Sequence, residues 1–262
     1  MLRRLPMCAP GWVGGGRVFY QGRRPVARWS SLMRNRISPW TFADMAPSPV
    51  CTPRCLLCHA PGPAHFASLR EGEYWRCPAC GLTFLHPDGH PDAAAERAQY
   101  ETHENDPLDP GYRRFLGRLA EPLVARLPAG AEGLDYGCGP GPALAMMLRE
   151  AGFPTAVYDP FYVPDTAPLE RQWDFITCTE VVEHFHHPAV EFDRLHGLLR
   201  PGGWLGVMTE LLTDDARFAG WRYRRDPTHV AFYSEAVLTW IARRYGYALQ
   251  RPGRNVALFC KP

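Results

Sequence analysis

Lysine is almost missing from this chain. Of the 29 basic residues only Lys261 is a lysine, so nearly all positive charge sits on arginine, a bias that coding preference explains as readily as function does. No acidic residue precedes Asp44. No apolar run reaches the ~18 residues that a membrane-spanning helix needs, and the N-terminal segment lacks the apolar stretch of a secretion signal. A large charge imbalance is also missing: the net charge is +2 over 262 residues, too small by itself to argue for a polyanionic partner. These absences speak against a helical membrane protein, a secreted protein and binding of nucleic acid through bulk charge. What is present is 46% hydrophobic and 21% charged residues, the balance of a packed globular chain. The length suits one large domain and one small one.

Residues 1–49 are arginine-rich, with three consecutive glycines at 14–16 and scattered prolines that break any periodicity. This composition is expected to be poorly ordered. Three readings stand: an over-long start with the true beginning at Met45 or an earlier methionine, a basic arm that touches RNA or another polyanion, and an organellar transit peptide.

Nine cysteines would suit disulfides, but their spacing points to metal. Cys55 and Cys58 form one C-x₂-C pair and Cys77 and Cys80 another, with 18 residues between the pairs. That interval falls in the window of a tetrahedral zinc site, and an all-cysteine set indicates a closed structural site without an open water position. Tyr74-Trp75-Arg76 and Leu82 to Leu85 read as a strand and its return. Residues 50–91 are therefore expected to form a zinc ribbon too small to hold together without Zn²⁺. An iron–sulfur cluster is the rival, with Cys51 as a spare thiol; His59 and His86 read as surface residues. Thiolate ligands need a reducing compartment, so a cytoplasmic location is expected.

Residues 92–130 read as a helical linker. A first helix covers Asp92 to Tyr100, and an amphipathic helix starts at Gly111 and is kinked or split by Pro122. Tyr100, His103 and Asn105 read as a helix end that they cap and solvate, or, on the family resemblance given below, as candidates for a lid.

The informative stretch is Leu134-Asp135-Tyr136-Gly137-Cys138-Gly139-Pro140-Gly141, read as a buried strand, a tight turn and a helix start. Glycines accept φ > 0 there and let a ligand approach the backbone. Ala156 to Asp159 reads as a second strand ending in an acid, Trp173 to Cys178 as a third leading into Thr179-Glu180-Val181-Val182-Glu183-His184, and Leu198 to Leu205 as helix end, turn and strand. Together these segments resemble the class I S-adenosylmethionine (SAM) methyltransferases, in which they recur in this order. The resemblance covers about half of the chain, from Gly133 onward. It implies an α/β fold, a Rossmann-like sheet in residues 131–262, and SAM as cofactor. Cofactor contacts fall on Asp135, Gly137, Gly139, Gly141, Asp159, Thr179 and Glu180. A hydride-transfer enzyme is disfavoured by the G-x-G-x-G spacing.

One departure from the family pattern is visible. Only fourteen residues separate Asp159 from Asp174, with prolines at 160, 164 and 168. That is too short for the usual helix, strand and connection, so the sheet is expected to be shortened on its third-strand edge, with a compact loop in its place. Near the C-terminus, Thr213 to Thr228 mixes arginines with Phe218, Trp221 and Tyr223, and similar methyltransferases place the acceptor here beside an Asp-x-x-His step, Asp226 to His229. Ser234 to Tyr245 reads as a helix stopped by Gly246.

A sulfonium methyl is already activated, so alignment and exclusion of water supply much of the rate. An acceptor hydroxyl, ring nitrogen or thiol also needs a base. His229 is the first candidate, with Glu180 and His184 as further catalytic candidates at a strand's C-terminal end. The acceptor is RNA, a nucleobase or a small molecule. The alternative from another class is an inactive SAM-fold accessory protein whose ribbon binds a partner. The oligomeric state and the acceptor atom are not encoded in any motif.

Overall fold

The computed structural model describes residues 52–102 and 106–262. The basic segment 1–49, the spare thiol Cys51 and the lid candidates His103 and Asn105 lie outside the described residues.

The cysteine-rich region forms an antiparallel sheet from β1 (Ala64–Leu69), β2 (Gly72–Arg76) and β3 (Thr83–Leu85). The second and third strands stand where Tyr74-Trp75-Arg76 and Leu82 to Leu85 predict them. The first was not legible, because Ala-His-Phe-Ala-Ser-Leu has few β-branched residues and no residue of this strand is fully buried. Asp92 caps α1 (Ala93–Tyr100) by accepting from the amides of Ala94 and Ala95 at 3.1 and 2.9 Å. Asp109 caps α2 (Pro110–Val124) in the same way, with Pro110 in the first turn. Pro122 does not split this helix, contrary to expectation. It falls in the last turn, where its missing N–H deletes one bond, and the burial of Leu116, Leu119 and Leu123 holds the segment helical.

The main sheet is built from β4 (Gly133–Tyr136), β5 (Thr155–Tyr158), β6 (Trp173–Thr179), β7 (Leu199–Met208), β9 (Ala248–Gly253) and β10 (Val256–Cys260). Its order is β5-β4-β6-β7-β10-β9, parallel from β5 to β7 and antiparallel at β10 and β9. β5 forms the edge, so the sheet is shortened there as the sequence predicts. The connection to β6 is a compact loop, pinned by the Asp159–Val163 bridge and one short 3-10 turn at Ala167–Glu170.

Side chains alternate strictly across this sheet. Leu134, Tyr136, Ile176, Cys178, Leu205, Val207, Ala257 and Phe259 face α4 (Pro188–Leu198) and α5 (Glu235–Tyr245). Phe175, Met208, Val256 and Leu258 face α2 and α3 (Ala143–Glu150). Ser234 occupies the N-cap position of α5 without a side-chain hydrogen bond to the helix, whereas Gly246 ends it in the left-handed region at φ +73°. The short strand β8 (Ala231–Phe232) does not join the main sheet. It pairs with β3 and makes a four-stranded sheet of the cysteine-rich strands and this later segment, in the order β1-β2-β3-β8.

Candidate functional site

The turn after β4 needs glycine. Gly137 and Gly139 have φ of +77° and +64°, and a Cβ on Gly137 would lie 2.5 Å from a methyl of Val181. Asp135 does not reach the cleft. Strand alternation turns it toward α3, where it is buried and accepts from the Thr177 hydroxyl at 2.7 Å. It also accepts from the Ala145 amide in the first turn of α3, a helix whose own N-cap position supplies no side-chain bond. Asp135 is thus a remote cap that locks the glycine turn to the helix. Gly141 likewise stands outside the cavity wall, which the turn forms with Gly137, Cys138, Gly139 and Pro140.

Burial pushes the Asp135 carboxyl up to about 6, against the pull of the Thr177 hydroxyl. A folded value above the unfolded one stabilises the protein most at low pH, and that contribution fades as pH rises through about 6. The gap corresponds to roughly 3 kcal/mol. In urea titrations from pH 4 to 7.5, Asp135→Asn is expected to gain stability relative to the native chain as pH rises. A difference that stays constant with pH would remove this reading.

Asp159, at the end of β5, faces the same turn. One carboxylate oxygen accepts from Gly139 N at 3.0 Å, the other from the amides of Phe161 and Tyr162 at 2.8 and 3.0 Å. The oxygen that faces Gly139 retains lone-pair capacity for a further donor, whereas the other is filled by its two amides, and the residue lines the cavity.

The opposite wall rises from the end of β6. Thr179 Oγ1 and Glu180 Oε1 are buried and have no hydrogen-bond partner among the described residues. Glu180 sits at φ +51°, a strained conformation for a residue with a side chain. Burial, and then the charge of Glu183, push the Glu180 carboxyl up to about 9. Glu183 is not a solvated helix-end charge: it is completely buried, accepts from Thr209 Oγ1 at 3.0 Å and from the Tyr223 hydroxyl, and its carboxyl is raised by burial.

Two histidines meet this acid. His184 Nδ1 lies 3.1 Å from the carbonyl of Thr228, and His229 Nδ1 lies 2.6 Å from that of Tyr223. A carbonyl only accepts, so each Nδ1 carries a proton and each ring turns its Nε2 the other way. The rings are 4.6 Å apart. One donor atom from each of Glu183, His184 and His229 lies within 4.8 Å of the others. Two separate segments bring these residues together, the turn after β6 and the stretch before Ala231–Phe232.

The two walls border a cleft of about 890 Å³, near the upper end of ligand pockets and therefore roomy enough for two small molecules. Tyr100, Tyr112, Phe115, Phe161, Trp221 and Tyr223 give it an aromatic lining. The unpaired oxygens of Thr179 and Glu180, the glycine turn and the Asp159 carboxylate fit a cofactor that carries both a ribose and a cationic amino-acid end.

The cysteine cluster is well away from an open-site geometry. Cys55, Cys77 and Cys80 are buried, Cys58 half-buried. The sulfur pairs Cys55–Cys80 and Cys58–Cys77 are both at 3.4 Å, and all four sulfurs fall within 4.8 Å of one another. Tetrahedral zinc with ~2.3 Å bonds calls for sulfurs about 3.8 Å apart, so the set fits that ion.

Some site residues were not foreseen. Thr209 follows β7 one step beyond the Thr179–Met208 register pair, a position that only the strand pairing reveals. Glu96 is buried on a short polar helix, 3.3 Å from both the Tyr100 hydroxyl and the His186 ring. No local signal marks it. His186 also helps to wall the cavity.

The profile of the family described as "Methyltransferase domain" matches residues 109–251, more than half of the chain. A ubiquinone biosynthesis O-methyltransferase of Shewanella pealeana is 28% identical over 98 residues, covering 36% of this chain and 39% of the relative. The chain thus spans about two fifths of the length of that curated relative. Among solved structures, 1,6-didemethyltoxoflavin-N1-methyltransferase of Burkholderia thailandensis is 20% identical, covering 76% of this chain and 99% of that one, with a TM-score of 0.48. Magnesium protoporphyrin IX methyltransferase of Synechocystis PCC 6803 is 17% identical, covering 64% and 93%, with a TM-score of 0.42. On the profile match, with the sheet and glycine turn described above, the chain belongs to the methyltransferase domain family and has the class I SAM-dependent methyltransferase fold.

Proposed function

We propose that this protein transfers a methyl group from SAM to an acceptor held between the glycine turn and the paired histidines, with His229 as the base. The observation that carries this reading is the convergence of Glu183, His184 and His229 on the wall opposite Asp159. Bound SAM supplies an activated methyl group. The chain's own residues do the rest. Asp159 takes the ribose hydroxyls, the amides of the turn between Gly137 and Gly139 carry the carboxylate end, and Thr179 and Glu180 take the amino end. The His229 ring, locked by the Tyr223 carbonyl, accepts the acceptor's proton. The aromatic lining excludes water and presents flat surfaces to a planar acceptor.

A hydroxyl acceptor agrees with the name of the Shewanella relative, an O-methyltransferase. The aromatic lining supports a small planar acceptor. The four-cysteine cluster supports a structural Zn²⁺, and because thiolate ligands need a reducing compartment it also supports a cytoplasmic location. Among the described residues no helix is long and apolar enough to cross a membrane.

The test is a labelled-methyl screen over small-molecule, RNA and protein extracts. On the acceptor that it identifies, His229→Ala is expected to lower transfer by about 10²–10⁴-fold while S-adenosylhomocysteine binding stays unchanged. Transfer that survives the substitution rules out His229 as base. No binding of S-adenosylhomocysteine by the pure chain would favour the accessory-protein alternative.

A second reading rests on the same donor set. Imidazoles whose far nitrogen is tied to a carbonyl are arranged as metal ligands are, so Glu183, His184 and His229 also suit a divalent cation that would orient an acceptor oxygen. Calorimetric titration with Mg²⁺, Mn²⁺ and Zn²⁺ in the presence of S-adenosylhomocysteine distinguishes ligand from base.

A further inference from the structure

We propose that the ribbon is the support of the acceptor wall and that Arg224 is the positioning residue that ties the two together. The inference rests on the methyl-transfer reading only for the role of Tyr223 and His229; the mechanical linkage stands on contacts alone.

Val230, the neighbour of His229, is clamped from both sides. Its carbonyl accepts from Leu85 N of β3 at 2.9 Å, and its N–H donates to the carbonyl of Glu183 at 2.9 Å. One residue thus joins the ribbon sheet to the turn that carries Glu183 and His184. The pairing continues through Thr83–Phe232 and Phe84–Ala231. Tyr74 and Leu85 of the ribbon share one apolar cluster with Phe218, Val230 and Phe232 of the acceptor segment.

Arg224 follows Tyr223 directly. Its side chain is only 5% exposed, yet it carries a full charge, so its position must be satisfied by fixed acceptors. It donates to Glu71 of the ribbon turn at 2.6 Å and to the Tyr74 hydroxyl at 3.3 Å. Its other nitrogens reach the carbonyls of Phe218 and Ala219 at 3.2 and 3.1 Å. The guanidinium therefore staples the loop before Tyr223 to the ribbon. Tyr223 in turn holds His229 through its carbonyl and Glu183 through its hydroxyl. No comparable bond from the ribbon reaches the glycine turn or Asp159 among the described residues, so the cofactor wall is expected to be independent of this staple.

The experiment is hydrogen exchange by mass spectrometry on the full chain, paired with calorimetry of S-adenosylhomocysteine. Loss of a buried charged hydrogen-bond set opens a segment by roughly tenfold or more. In Arg224→Met, exchange in peptides covering 218–232 is expected to rise by that factor, with exchange over 133–141 and 155–163 and the ligand affinity unchanged. Glu71→Gln, which leaves Arg224 its other acceptors, is expected to give a smaller rise in the same peptides and serves if Arg224→Met does not fold. Exchange over 218–232 that does not change in either variant overturns the proposal. So does a rise spread evenly over the chain, which would mark a general loss of stability. Absence of ligand binding in the native chain would instead overturn the methyl-transfer reading and leave the exchange result standing.

Discussion

Replacing Cys77 by serine is expected to remove the metal altogether and to lower the melting temperature by about 10 °C. The first part follows from the closed geometry: with four sulfurs within 4.8 Å of one another, a missing thiolate leaves a buried, incomplete coordination shell. The second follows from where the cluster sits. Cys55, Cys77 and Cys80 belong to the same apolar cluster as Val237, Leu238 and Ile241 of α5, so loosening the knuckles also uncovers that helix. A loss of ~4 kcal/mol at about 2–4 °C per kcal/mol gives the stated shift. Elemental analysis and calorimetry check both parts. One zinc per native chain and none in the variant is the expected result, and iron with visible absorbance would replace the zinc reading with the cluster alternative. An unchanged melting temperature would show that the metal does not support the fold.

Asp159→Ala is expected to weaken S-adenosylhomocysteine binding by roughly 10²–10³-fold, or about 3–4 kcal/mol. Two effects combine. The ribose hydroxyls lose their charged acceptor, and the amides of Gly139, Phe161 and Tyr162 lose the carboxylate that now orders them. Asp159→Asn separates the two, because its amide oxygen keeps one set of bonds while the charge disappears. An affinity that survives Asp159→Ala would mean that the sugar is held elsewhere.

The main sheet was legible because its strands carry their own signals. Each is a short apolar run that ends in a turn or an acid, and the fourteen-residue gap after Asp159 foretold the lost edge strand by length alone. Gly137 and Gly139 were legible because glycine takes their backbone angles without the strain that a side chain brings. Asp135 was misread for an instructive reason. Its position in the motif suggested a ligand contact, but strand alternation puts it on the face of Thr177 and α3, and two residues at a strand end do not reveal which face the ligand uses. Pro122 was overweighted because a proline's cost depends on how many helical turns follow it, and the helix ended there. The meeting of Glu183, His184 and His229 was only half visible. The EVVEH segment drew attention to the first two, but 44 residues separate His184 from His229 in the chain, and only the pairing of β8 with the ribbon sets the third beside them. β8 itself is two residues long and has no periodicity to read.

The scarcity of lysine has a consequence for handling the molecule. Guanidinium groups keep their proton far into alkaline solution, beyond pH 12, whereas ammonium groups do not. With one lysine among 29 basic side chains, the cationic surface stays charged through the range in which lysine-rich proteins lose theirs. Reagents that acylate side-chain amines find a single target, and it is already engaged: the Lys261 ammonium donates to the carbonyls of His196 and Leu199 at 2.7 Å each, closing the end of α4. Amine-directed dyes and crosslinkers are thus poor tools for this chain, while carboxylate-directed chemistry has many more handles.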